Sequence, residues 1–171
     1  MLNKKQEENP KEPKDFLKYY VKPHRKVSRE ITEKDLERVK EDGHILFNLC
    51  FTQRGPHYKG GFAVAHPQIT KKDPLRFFVI HDKRIILNPV IVNHTRNTVD
   101  SEEGCLTYPD KKPIIVQRWN KCEVEYQVFG EKDNKLVLSE KIKQNLSGKD
   151  AKIFQHEIDH LNAKYIYDNK E

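Results

Sequence analysis

The sequence predicts an α+β fold in which mostly antiparallel strands pack around a C-terminal helix, with a second helix near the N-terminus. Two observations carry this. Apolar residues recur at helical spacing in one stretch towards the start of the chain and in another towards its end. Between them lie short apolar or alternating runs separated by turn residues, the pattern of strands joined by hairpins.

Residues 1–15 are charged, contain prolines and hold almost no large apolar side chains, so they read as a disordered or loosely attached arm. The remaining 16–171 fit one domain, because 171 residues bury one core and are too few for two comfortable ones. Thr32 precedes "EKDLERVKEDGHILFNLCF", where Leu36, Val39, Ile45 and Leu49 form a stripe and Thr32 with Asp35 forms a capping pair. A helix is expected over 33–51, with Gly43 as its weak point. After the polar loop "TQRGPHYKGG", the runs "FAVAH", "LRFFVIH", "RIILNPVIV" and "IIVQRW" read as strands. Next, "KCEVEYQVFG" alternates through Cys122, Val124, Tyr126 and Val128, and "EKDN" turns the chain into "KLVLSEKI". Ser147 or Gly148 then starts the last helix, whose apolar face holds Ile153, Phe154, Ile158 and Leu161.

Composition narrows the setting. A hydrophobic fraction of 36% beside a charged fraction of 34% describes a folded chain with a heavily charged surface. The net charge of +6 attracts polyanions such as RNA or a ribosome surface at low salt. The lysines are scattered and no aromatic-plus-basic signature accompanies them, so a solvated basic surface is expected and no specific nucleic acid. Cys50, Cys105 and Cys122 are an odd set without C-x-x-C spacing, which suits a reducing compartment. No run approaches the roughly 18 apolar residues of a membrane span, and the N-terminus lacks both a signal-peptide core and the acid-poor character of a transit peptide. No membrane partner is expected, and the cytoplasm is the expected location rather than an organelle.

The chemistry concentrates in "QHEIDH", 155–160. His156 and His160 stand at i and i+4, so both imidazoles leave one helix face a turn apart and can share one ion. Glu157 adjoins the first histidine, where a carboxylate can reach a water on the ion and act as general base. A third ligand is needed. Cys105, in the turn-like "EEGCLTYP", offers a thiolate, a strong donor for a divalent transition metal. Cys50 and Cys122 read as small core residues.

Three motifs, in this order, resemble those of the peptide deformylases, enzymes that remove the formyl group from the N-terminal formyl-methionine of new polypeptides. They are "GFAVAHPQ" (Gly61 to Gln68), "EGCLT" (Glu103 to Thr107) and "QHEIDH" followed by Leu161. The resemblance implies that Cys105, His156 and His160 ligate the metal and that Glu157 moves the proton. It also implies that Gln68 and the backbone N–H of Leu106 stabilise the oxyanion, with Gly61 and the strand after it, including Ala63, along the substrate. The metal implied is one divalent transition ion, Fe(II) in the cell, with zinc, nickel or cobalt able to replace it. Glu103 and Arg118 are expected as a buried pair supporting the cysteine loop, and Asp159 as a helix-surface residue or a support behind the ligands. Phe154 and Ile69, the latter on a strand, are expected in an apolar methionine pocket.

The chain departs from the family pattern at Ala63, where a glycine is usual, at His66, where alanine is usual, and at Thr107 in place of serine. Strand alternation points Ala63 and Ala65 one way and Val64 and His66 the other, so if the two alanines face the site His66 lies behind it. The sequence also stops soon after "YIYDNKE" without a long C-terminal helix, as organellar-like or phage-encoded members do; for a phage member the location would be the host cytoplasm. The expected substrates are formyl-methionyl nascent peptides, with ribosome docking through the basic surface. Two other readings stay open: a deformylase-like protein that binds metal or the ribosome with little turnover, and a metallopeptidase using the same H-E-x-x-H logic.

Overall fold

The computed structural model describes residues 16–168; the expected arm at 1–15 lies outside the described residues. Helix α1 spans Leu36–Cys50 and is entered through a 3-10 turn, Glu33–Asp35. The Thr32 backbone N–H donates to the Asp35 carboxylate at 2.9 Å, so the expected pair closes this end. Leu36, Val39, Leu46, Leu49 and Cys50 are its buried apolar residues, with Gly43 on the same face, where an added Cβ would meet Ile85 at ordinary contact distance.

Nine strands follow among the described residues, and five of them form one antiparallel sheet in the order β1 (Ala63–Ala65), β2 (Phe77–Ile80), β3 (Ile85–His94), β6 (Lys121–Gln127), β9 (Ile142–Ser147). Two separate hairpins complete the set, β4 (Thr98–Glu103) with β5 (Ile114–Trp119), and β7 (Phe129–Lys132) with β8 (Lys135–Leu138). Helix α2, Gly148–Leu161, closes the order. Alternation along the central strands makes two cores. Val64, Phe77 and Val79 turn towards α1, whereas Ala65, Phe78 and Ile80 turn towards α2. The sheet is therefore covered by a helix on each face, which explains why "FFVI" is apolar throughout. Among the described residues no helix is long and apolar enough to cross a membrane.

Several elements differ from expectation for identifiable reasons. The run "FAVAH" stops at Ala65, and His66–Gln68 forms a 3-10 turn with Pro67 inside it, since proline fixes φ and cannot donate to a ladder. Ile69 ends that turn with helical backbone angles, so it is not a strand residue. Strand β3 bulges at Asn88, whose φ of 51° is left-handed; its side-chain amide donates to Ile31 O and its carbonyl accepts from Ile31 N–H. The long hairpin divides: Lys121–Gln127 joins the main sheet, and Phe129–Lys132 turns through Asp133 and Asn134, both at positive φ, into Lys135–Leu138. Strands β4 and β9 had no apolar run to announce them.

Candidate metal centre

Helix α2 begins at Gly148, whose φ of +56° lets the chain turn out of β9 behind Ser147 and into the helix. This fixes the phase of the helix so that His156 and His160 face the end of β4. There the chain passes Glu103 and Gly104, where any side chain would overlap the Tyr58 ring, and delivers Cys105. The His156 and His160 Nε2 atoms lie 3.1 Å apart, and Cys105 Sγ lies 3.4 Å from His160 Nε2. All three donor atoms fall within 4.8 Å of one another, the one such group of His, Cys and acid donors among the described residues. Burial alone would raise the Cys105 thiol, but His160 and His156 outweigh it and hold it well below the usual thiol range. Burial pulls His156 down, and bonds to Cys105 and Glu103 reverse this, bringing it up to about 10. A thiolate and two imidazole nitrogens converging in this way fit a divalent transition metal.

Behind the three donors runs a chain of charge. His156 Nδ1–H donates to Glu103 Oε2 at 2.8 Å, which leaves Nε2 facing the other two donors. Arg118 grips both Glu103 oxygens, at 2.8 and 2.7 Å, and donates from Nη1 to Asp159 at 2.6 Å. The expected Glu103–Arg118 pair is thus present, and Asp159 completes it from the helix. Burial would raise Glu103; Arg118 and His156 overcome that and hold it at about 2.

Of the three donor residues Cys105 and His160 are buried, while His156 lines a cleft of about 660 Å³. Glu157 lines it while only 4% exposed, with one carboxylate oxygen lacking any partner among the described residues. Burial raises its carboxyl above the ordinary range. Gln68 lines the cleft too. Its carbonyl accepts from Ala65 N–H at 2.8 Å and its amide donates to Thr107 Oγ1 at 3.0 Å, which pins the orientation of the group and leaves a second N–H on the same nitrogen. Gly61, Ala63 and Leu106 line the walls, and a methyl on Gly61 would press on Leu106 Cδ1. Phe154 does not reach the cleft: it is fully buried, edge-on to Phe78 in the core under α2. Ile153 lines the cleft instead. Spacing could have shown this, since position i−3 shares the face of His156 and i−2 does not.

A sequence profile described as polypeptide deformylase matches residues 13–171. The chain belongs to the polypeptide deformylase family. It is 34% identical over 115 residues to a peptide deformylase of Thermotoga neapolitana, an overlap of 66% of this chain and 63% of that protein. It is 29% identical over 163 residues to peptide deformylase 2 of Bacillus anthracis, covering 86% and 84% of the two chains. The crystal structure of peptide deformylase from Thermotoga maritima superposes with a TM-score of 0.66 at 28% identity, covering 84% of this chain and 88% of that one. Deformylases are metal-dependent enzymes that hydrolyse the formyl group from formyl-methionyl nascent peptides, and the α+β order of this chain is theirs.

His66 is fully buried behind the site, stacked on Phe77, with Nε2 2.8 Å from Asp42 and Nδ1 accepting from Leu75 N–H. Its partner Asp42, on α1, was not foreseen, because nothing in the sequence links positions 42 and 66 until the fold brings them together. Ala63 does line the cleft, as expected for the residue in the glycine position.

Proposed function

We propose that this chain hydrolyses the formyl group from formyl-methionyl peptides, with Cys105, His156 and His160 holding one divalent transition metal. The convergence of these three donors beside a buried, partner-free carboxylate oxygen of Glu157 carries the reading. When bound, the metal supplies Lewis acidity and a water acidified to near-neutral pKa. Fe(II) suits the thiolate and imidazole set in the cell, and zinc, nickel or cobalt suits it in a purified sample.

The residues around the donors have separable tasks. Glu157 accepts the proton of the attacking water and returns it to the amine as the C–N bond breaks. The remaining N–H of Gln68 and the backbone N–H of Leu106 donate to the formyl oxygen as it gains charge. Strand β1 is the edge of its sheet, so its open side, reached past Gly61, can pair with an extended substrate backbone. Ala63, Leu106 and Ile153 give the methionine side chain apolar walls.

The enzyme would act in the cytoplasm, where its +6 charge draws it towards ribosomal RNA and emerging chains. Mass spectrometry of a formyl-Met peptide incubated with metal-loaded protein tests the assignment. Conversion to the free-amine peptide supports it; internal fragments would indicate a peptidase, and an unchanged peptide a protein without turnover.

A further inference from the structure

One wall of the cleft carries charge that the formyl-methionyl end of a peptide does not call for. On α2, Lys149, Lys152 and Ile153 lie seven, four and three residues before His156, so all four share a face, and all four line the cleft. At about 1.5 Å per residue the two lysines attach roughly 6 and 10 Å from His156 along the helix. Lys152 Nζ donates to the Asp100 carbonyl at 2.9 Å. Lys149 Nζ sits 3.5 Å from the centre of the Phe62 ring, itself edge-on to His81.

Neither contact neutralises a charge, and among the described residues neither lysine has a carboxylate partner. Lys59 lines the same cleft. Of the three carboxylates that line it, Glu103 is engaged by Arg118 and His156, and Glu157 is buried beside the metal ligands. Only Glu102 remains against three lysines. Phe62, 56% exposed, acts as a platform that holds the Lys149 ammonium at the mouth. The N-terminal end of α2 adds its partial positive charge on the same side.

We propose that Lys149 and Lys152 make this cleft select formyl-methionyl peptides carrying aspartate or glutamate in the residues that follow methionine. The proposal rests on the deformylase reading above. An extended peptide advances about 3.3 Å per residue, so the second and third residues beyond the reacting group come within reach of the two ammonium groups.

The test compares formyl-Met-Asp-Asp, formyl-Met-Ala-Ala and formyl-Met-Lys-Lys, all C-terminally amidated, on the metal-loaded enzyme. At low salt kcat/KM should favour the acidic over the basic peptide by about three- to tenfold, as two exposed ion pairs allow, and the gap should close at high salt. In Lys149→Gln/Lys152→Gln the ratio should fall towards one, and Lys149→Glu should lower it below the double variant. Equal rates for all three peptides in the wild-type chain would overturn the inference and leave the deformylase reading standing. The N-acetyl forms of the same peptides, titrated by calorimetry, separate the two claims. Preferential binding of the acidic peptide without formate release from any substrate would retain the cationic rim and remove the deformylase assignment. Equal binding and equal turnover would remove the rim alone.

Discussion

Glu103 accepts a hydrogen bond from the Nδ1–H of His156 at 2.8 Å while both of its oxygens are held by Arg118. The carboxylate therefore sets which imidazole nitrogen faces Cys105 and His160, and does so from a position with no ligating atom of its own. Glu103→Gln should weaken metal binding by about 10- to 100-fold, measured by competition with a chelator. Unchanged affinity would mean that the helix alone orients His156.

Cys105→Ala should remove most bound metal, because two imidazoles without the thiolate make a poorer site for a borderline-soft ion. Elemental analysis of the purified variant checks this. Full occupancy would exclude Cys105 as a ligand.

Glu157→Ala should keep its metal and lose about 10²- to 10⁴-fold in formate release, since the role proposed for the carboxyl is to move a proton and not to hold the ion. Metal content and rate measured on one preparation separate the two roles. A variant that retains the wild-type rate would leave Glu157 without a catalytic task.

Gln68→Leu should lower kcat by about 10²- to 10³-fold with little change in KM, because in the role proposed for it the amide meets the oxygen only as charge develops there. Thr107→Val, which removes the hydroxyl that receives the Gln68 amide, should give a smaller loss of the same kind. A change confined to KM would make Gln68 a binding residue.

His66→Ala should cost about 2–4 kcal/mol of stability, through a cavity beside Phe77 and the loss of partners for Leu75 N–H and Asp42. With Nδ1 accepting from Leu75, the neutral ring already satisfies both neighbours. Burial lowers its pKa below the ordinary 6.5, against the raising effect of Asp42. A depressed histidine pKa means that the unfolded chain binds the proton first as pH falls. The stability is thus complete above about 6.5 and declines as pH drops towards the folded value. Melting curves at pH 7.5 and 5.5 should show a larger acid loss in the wild type than in the variant; equal losses would contradict the neutral, buried imidazole.

What could be read from the sequence depended on whether a residue's task is local. The i, i+4 histidines, the helix around them and the Thr32–Asp35 cap are encoded within a few positions, and they stand as expected. Strands β4 and β9 were invisible because "TVDSEE" and "IKQNLS" are held by backbone pairing and each buries only one residue, Ser101 and Leu146. The position of Phe154 was misjudged by one step of helix phase, which is enough to move a side chain from cleft to core. Asp42 with His66, and Asp159 with Arg118, are partners that only the tertiary fold creates.

The most direct measurement is the rate of formate release from a formyl-Met peptide as a divalent transition metal is titrated into metal-free wild-type chain. The rate should rise with added metal and reach a plateau at one ion per chain, the capacity of Cys105, His156 and His160. Absence of formate at every ratio, or a rate indifferent to added metal, would contradict the assignment.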